Sequence, residues 1–495
     1  MQIARETLVE SLLRHAANDP GRPALLDNDA VISYGELAAR IAAAAQRLRE
    51  LGVERQQRVL ICGENSAAFA IAYFAIHLIG ATAAPCEPHL PAVSAAFVAQ
   101  DCGAVLALVS AAASARFNIP TCSLEALTAP GSAKEARAPL CKWEDIADIL
   151  YTNGTTWRKK GVLLTQRGIA STALNICSFI RNDSAGVELM PLPLSHSFGL
   201  GRLRCMAFAG NTLALEPGLP NPARLLKRAL NLNITGLAMT PTGFAMLLAL
   251  PGPGLTPARR HLRYIEIGSA PISAELRRKL VEQLPRTRIC HHYGLTEASR
   301  ACFREFHADA AKPDSIGRAS PNVTVEIRDE NGRKLGPLQA GEIAVRGAMV
   351  MGGYLNLPEL TRRSLINGWL LTGDYGSMDD AGYIHLHGRR ADIINVGGLK
   401  VAPLEVEARA NEHPAIRECA CVGVPDRLLG ERVKLFYVAD HDVAETTLVN
   451  WLRTHLEEYK IPRDFERLLE LPKAGGVKIQ RHLLRERVHK ETQLA

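Results

Sequence analysis

Between Tyr151 and Val162 the chain reads YTNGTTWRKKGV, with three threonines, Gly154 and three consecutive basic residues lying between apolar runs. Residues of these types suit the binding of an oligophosphate. Small side chains at Gly154, Thr155 and Thr156 let backbone amides and hydroxyls converge on the ligand, while Arg158, Lys159 and Lys160 supply countercharge. The Walker pattern G-x-x-x-x-G-K-[ST] is absent, so the architecture of P-loop triphosphatases is not implied. The plainer reading of the same residues is a solvated basic turn. Elsewhere the basic residues are scattered apart from a tail after Lys473, and the net charge of +7 is modest for 495 residues. No zinc-finger spacing or aromatic-interleaved basic stripe appears, which disfavours nucleic acid and favours a small phosphorylated ligand, ATP among them.

Four more segments carry residue types that an ATP site needs. In IEIGSAP, Ile265 to Pro271, a strand ends in small residues (Gly268, Ser269, Ala270) that permit a flat base to approach the backbone. An ordinary strand-to-helix turn has the same composition. In HHYGLTEAS, Tyr293 offers a ring for a purine, Gly294 flexibility, Thr296 a hydroxyl and Glu297 a hard oxygen ligand for Mg²⁺. Thr296 and Glu297 also suit a helix start. In WLLTGDYG, Asp374 is read as following a strand, where it accepts hydrogen bonds from a ribose or simply closes a turn. LPKAGGVKIQR ends on Lys478 in a glycine-flexed stretch, and the alternative there is an ordinary solvent-facing lysine.

These segments need a large scaffold. The length predicts about three packing units, and 47% apolar with 22% charged residues is ordinary globular composition. RVLICG, GATAAP, AVLALVS, DIADILYT, ITGLAMT and HLRYIEIG are short strand candidates between amphipathic stretches, the alternation of an α/β protein. From Val323 the pattern turns β-rich, in VTVEIRD, GEIAVRG and YIHLHG, which predicts a small barrel-like subdomain. The expected organisation is α/β: a large N-terminal domain of several subdomains over 1–390, and a small mobile α+β lid over 391–495. The N-terminus lacks the features of a secretory signal, and the apolar run Ser66 to Pro85 reads as a buried helix and strand, so no membrane span is expected. Eleven irregularly spaced cysteines without C-x-x-C pairs fit a reducing cytoplasm, with Cys419 and Cys421 as apolar core residues along one strand.

Taken in order, the segments resemble the adenylate-forming superfamily, which includes acyl- and aryl-CoA synthetases, nonribosomal-peptide adenylation domains and luciferases. The resemblance covers nearly the whole chain, from ISYGEL near Ile32 through the basic loop, PLSHSFG, IEIGSAP, YGLTE, GEIAVRG, TGD, GRRAD, GGLKVAPLEVE and YKIP to GVKIQR. It implies that a carboxylate attacks the α-phosphate of MgATP to give an acyl adenylate and pyrophosphate, after which a nucleophile displaces AMP. By the same resemblance, Thr152, Gly154, Thr155, Thr156 and Lys160 hold the phosphates. Gly268 to Pro271, Tyr293, Gly294 and Thr296 frame the nucleotide, Glu297 holds Mg²⁺, and Asp374 with Arg389 holds ribose. Lys478 bridges carboxylate and phosphate, and the loop Gly397 to Val401, with Gly397 and Gly398 at its turn, replaces it for the second step. His196 sits at the mouth of an acyl pocket lined by Ser197, Gly199 and Arg300.

This sequence departs from the family pattern at Trp157, Lys159, Ala474 and Val477, and at the hinge position Ala391, where a polar residue is usual. None of these removes a phosphate-binding side chain. Ser197 stands where amino-acid-activating relatives place an aspartate, and a buried ammonium group without a carboxylate partner is costly. A neutral or anionic acid, fatty or aromatic, is therefore expected, and Arg300 is a candidate reader of a second substrate anion. CoA is the leading acceptor. A carrier-protein phosphopantetheine or a free amine would instead make the chain a freestanding adenylation enzyme or an amide synthetase, and a decayed, non-catalytic nucleotide binder is the reading from another class. Oligomeric state is not legible.

Overall fold

The computed structural model describes residues 6–113, 116–131, 139–153, 159–218, 221–474 and 478–494, with the backbone alone at 153, 474, 478 and 489–494. Its two compact units are Met1–Val325 with Val345–Leu370, and Glu326–Ala344 with Leu371–Ala495. Residues 326–344 and 371–390 pack with the C-terminal part, through pairs such as Arg390 with Glu342 at 2.7 Å and Lys400 with Glu330 at 3.0 Å.

The first unit is built on two sheets, and the short apolar runs expected to be strands are strands. In the nine-stranded sheet, Arg288–Tyr293, Tyr264–Ile267, Gly236–Met239, Val187–Met190, Thr212–Leu215 and Pro23–Asp27 run parallel in that spatial order, with antiparallel strands at both edges. The seven-stranded sheet orders Gly353–Tyr354, Lys159–Thr165, Ile146–Asn153, Thr82–Cys86, Arg58–Cys62, Ala104–Val109 and Thr121–Ser123. The run Ser66 to Pro85 forms the buried helix Ala67–Leu78 and the strand Thr82–Cys86. Among the described residues no helix is long and apolar enough to cross a membrane.

The helix Ser197–Ala209 joins the two sheets. Its only charged residues are Arg202 and Arg204, and helical residues two positions apart lie about 200° apart around the axis, so these side chains leave opposite faces. Arg202 reaches the nine-stranded sheet, bonding Glu188 at 2.5 Å and Glu266 at 2.9 Å. Arg204 reaches the other, bonding Asp148 at 2.5 Å and the Tyr73 hydroxyl at 3.0 Å. All of these charged groups are buried.

Thr324–Arg328, Gly341–Arg346, Trp369–Met378, Leu365–Ile366 and Ile384–Arg389 form a five-stranded sheet. This is the β-rich stretch expected from Val323. A second five-stranded sheet contains Leu399–Val401, Ile394–Val396, Gly430–Val438, Glu418–Asp426 and Asp464–Arg467. Cys419 and Cys421 are buried in its core beside Val406, Leu435 and Leu448. The architecture is mixed α/β, with a large N-terminal domain and a small C-terminal one.

Candidate active site

The phosphate segment is a hairpin. Strands Ile146–Asn153 and Lys159–Thr165 pair antiparallel, setting Thr152 opposite Lys160. Gly154, Thr155 and Thr156 lie outside the described residues, as do Trp157 and Arg158. Along the far edge of Lys159–Thr165 runs the two-residue strand Gly353–Tyr354, with Tyr354 opposite Val162. The Lys160 ammonium sits 5.7 Å from the centre of the Tyr354 ring, and the Tyr354 hydroxyl donates to Glu297 Oε1 at 2.8 Å. The lysine and the carboxylate singled out from distant motifs therefore meet on one tyrosine.

Glu297 does not start a helix. It lies in a turn after strand Arg288–Tyr293, closed by reciprocal backbone bonds between Leu295 and Ala298, and its carbonyl accepts from Met351 N at 2.9 Å. With one carboxylate oxygen bonded by tyrosine, acceptor capacity remains for a hard cation. Among the described residues no group of three or more His, Cys, Asp or Glu could hold a metal. A single carboxylate nonetheless fits Mg²⁺, which takes one or two protein ligands and completes its shell with phosphates and water.

The segment framing the nucleotide is set by its neighbours. A Cβ at Gly268 would lie 2.0 Å from the His292 ring, so the glycine is required by the imidazole packed against it. Ser269 then takes a left-handed φ of +71°, a conformation costing about 1–2 kcal/mol for a residue with a Cβ. Ser269 and Pro271 are exposed, Ala270, Tyr293 and Thr296 half-buried, and Gly294 exposed.

Beneath this surface lies Glu266, in the strand that leads to Gly268. Its carboxylate bonds Arg202, Arg300 Nε at 3.0 Å and lies 2.8 Å from His292 Nδ1. Burial pushes the Glu266 carboxyl up, but Arg300, Arg202 and His292 outweigh it and hold it well below the usual range. Burial lowers His292, opposed by Glu266, and it lowers His291 to about 3, so the His291 ring is neutral. Asp148 balances similarly: burial raises it, and Arg204 with His77 brings it below its ordinary value.

Arg300 is thereby corrected. It is 2% exposed, and its guanidinium is engaged by Glu266, the carbonyls of Ser197 and Phe198, and the Ser299 hydroxyl. It holds the start of the helix Ser197–Ala209 and is not free to read a second substrate carboxylate. Gly199, in the first turn, is pressed against the Pro193 carbonyl, 2.3 Å from where a Cβ would stand. His196 is the residue before that helix, 55% exposed, and its Nε2 lies 3.7 Å from Glu87 Oε1. Glu87 follows the strand Thr82–Cys86, and both side chains are about half exposed. Ser197 is half-buried.

The remaining candidates belong to the second unit. Asp374 lies inside strand Trp369–Met378 and does not follow a strand: Gly373 takes a φ of +72°, yet the ladder continues through it. Asp374 stands opposite Arg389 in register, and Arg389 Nε bonds its carboxylate at 3.1 Å. Gly397 and Gly398, with φ of +60° and +87°, form the two-residue turn between Ile394–Val396 and Leu399–Val401, the positive-φ hairpin such glycines favour. Ala391 lies in a short 3₁₀ turn, its carbonyl accepting from Arg485 at 3.4 Å. Lys478 is in a small hairpin with Lys473–Ala474, paired with Ala474. Its side chain and residues 475–477, Val477 among them, are outside the described residues.

Sequence reasoning missed Tyr354, Glu87 and the Glu266 network. MGGYLN carries no reactive pattern of its own, whereas two arginines in the apolar run GLGRLRCMAFA were a readable sign of buried acids.

The chain matches AMP-binding enzyme over residues 12–355 and AMP-binding enzyme C-terminal domain over 405–478. A feruloyl-CoA synthase from an Amycolatopsis species is 30% identical over 491 residues, covering 96% of this chain and 98% of the relative. ATP-bound MatB from Rhodopseudomonas palustris superposes with a TM-score of 0.87 at 27% identity, covering 97% of this chain and 99% of that one. O-succinylbenzoate coenzyme A synthetase (MenE) from Bacillus subtilis, solved with ATP and magnesium ion, gives 0.85 at 26% identity over 96% and 98%. Together with the paired domain matches, these likenesses establish that the chain belongs to the AMP-binding enzymes and is an acid–thiol ligase.

Proposed function

We propose that this enzyme activates a fatty or aromatic carboxylic acid with ATP, releasing pyrophosphate, and transfers the acyl group from the adenylate to CoA as a thioester. The observation that carries the reading is the meeting of Lys160 and Glu297 on Tyr354. A basic group from the phosphate hairpin and a hard-oxygen donor beside the nucleotide segment form one cluster. The preference for CoA follows from relatives whose names specify CoA ligation, the preference for an aromatic or fatty acid from the feruloyl, o-succinylbenzoyl and long-chain-fatty-acid activities among them.

The chemical obstacle is anion meeting anion. A substrate carboxylate oxygen attacks the α-phosphorus, the bond to the bridging oxygen breaks, and pyrophosphate leaves with the added charge. Lys160 and Lys478 neutralise charge that develops on the phosphates, and this stabilisation needs no proton transfer. Bound Mg²⁺, held by Glu297, adds Lewis-acid polarisation of the phosphate oxygens. In the second step the CoA sulfur, having lost its proton, attacks the acyl carbonyl and AMP departs. Asp374 and Arg389 hold the ribose, Tyr293 and the Gly268 to Pro271 segment take the base, and His196 guards the acyl entrance. Residues 391–495 are assigned as the moving lid, exchanging Lys478 for the Gly397–Gly398 hairpin between steps.

Exchange of pyrophosphate into ATP, measured across a panel of fatty, aromatic and amino acids, tests the first step and identifies the acid. Acid-dependent exchange is expected with fatty or aromatic acids; exchange with none refutes catalysis. Offering the resulting adenylate to CoA, a carrier-protein phosphopantetheine and free amines then tests the acceptor.

A further inference from the structure

The short segment Val350 to Asn356 touches the described strands of the phosphate hairpin and the turn that carries Glu297. Val350 bridges Ala298, and Met351 N holds the Glu297 carbonyl at 2.9 Å, so the backbone of the carboxylate residue is fixed from this side. Gly352 N and Leu355 N donate to Leu163 and Gly161 of the phosphate hairpin, both at 2.8 Å. Asn356 Nδ2 donates at 2.7 Å to the carbonyl of Asp101, whose carboxylate accepts the Tyr151 hydroxyl at 2.7 Å just before Thr152. At the centre, the Tyr354 hydroxyl orients the Glu297 carboxylate, and the ring stands beneath the Lys160 ammonium. Its own backbone is held by Thr361 Oγ1 at 2.9 Å.

A carboxylate on a flexible turn has several rotamers, and only some present an oxygen to a metal held on phosphates. A hydrogen bond to one oxygen selects among them. Partners of this kind typically alter metal affinity 10- to 100-fold when removed. The ring adds a second constraint, because its negative face attracts a cation within about 6 Å of the centroid. One side chain thus fixes the spacing between a metal carboxylate and a phosphate-binding ammonium.

We infer that Tyr354 is a positioning residue for adenylation: its hydroxyl sets the Glu297 carboxylate for the divalent ion, and its ring sets Lys160 for the phosphates. The inference rests on the proposed roles of Glu297 and Lys160.

The two contacts separate by substitution. Tyr354→Phe removes one oxygen and keeps the ring, and Tyr354→Leu removes both. The probe is Mn²⁺ binding to the ATP-loaded full-length enzyme, read by electron paramagnetic resonance without turnover, beside the KM for ATP and the melting temperature. Tyr354→Phe should weaken Mn²⁺ about 10-fold, with KM for ATP changed less than about twofold and the melting temperature kept. Tyr354→Leu should show the same Mn²⁺ loss with a raised KM for ATP. Mn²⁺ affinity within about twofold of the parent in Tyr354→Phe overturns the inference, as does an equal rise of KM in both variants. Glu297→Gln separates this failure from that of the functional reading: if it too leaves Mn²⁺ affinity unchanged, Glu297 does not hold the metal. If it weakens Mn²⁺ while Tyr354→Phe does not, only the role of Tyr354 fails.

Discussion

Two sets of ion pairs in this molecule differ in burial. In the first unit Arg202, Arg204, Arg300, Glu188, Glu266 and Asp148 are all at most 2% exposed and tie two sheets, the nucleotide segment and the helix after His196 into one network. In the second unit Lys400 with Glu330 and Arg390 with Glu342 join the glycine hairpin and its approach to the neighbouring sheet, and the Lys400 and Glu330 side chains are 46% and 72% exposed. A buried pair loses several kcal/mol when one member is removed, because the other charge stays desolvated. An exposed pair is worth about 0–1 kcal/mol. The first arrangement suits a site that must not move; in the second, the Lys400–Glu330 pair holds its segments more lightly.

Arg202→Met leaves Glu188 and Glu266 without their shared countercharge and should cost about 3–5 kcal/mol in urea unfolding. A loss below about 1 kcal/mol would place the network on a par with the surface pairs and remove the contrast.

Acid is a second probe of the buried network. His291 is neutral in the fold, its pKa lowered by burial to about 3, and burial lowers His292 as well, whereas in the unfolded chain their pKa is the ordinary 6.5. The unfolded state therefore binds protons that the fold refuses, and stability falls as pH drops from about 6.5 toward 3. The carboxylates with lowered pKa lose their contribution only further down, so the fall between pH 6.5 and 5 belongs to histidine. The urea midpoint should decline across that window and decline less in His291→Gln. A midpoint independent of pH there contradicts the assignment.

The smallest effect belongs to the exposed set. Glu330→Gln should change stability by less than about 1 kcal/mol. By loosening Lys400 it should speed thioester formation relative to adenylation, about twofold, in single-turnover assays. An equal change in both steps would deny the pair any part in releasing the hairpin.

Much of this architecture was legible. The short runs dominated by apolar residues read as strands and are strands, and the hairpin turn at Gly397–Gly398 was marked by the residues that positive φ demands. What was not legible depends on partners brought together by topology. Arg300 looked available because the sequence shows only its neighbours in YGLTEAS; its partner, Glu266, lies on an adjacent strand of the sheet. Asp374 looked like the end of a strand because Gly373 precedes it, but one positive φ did not break the ladder. Tyr354 carried no sign at all, since its meaning comes from Glu297 and Lys160 in other motifs.

The central claim is two-step acid activation with Lys478 serving the first step, and separating the half-reactions of Lys478→Ala tests it most directly. Pyrophosphate release from ATP and the acid should be abolished, while thioester formation from supplied acyl adenylate and CoA continues at a rate within a few-fold of the parent. Near-normal pyrophosphate release by Lys478→Ala would contradict the account.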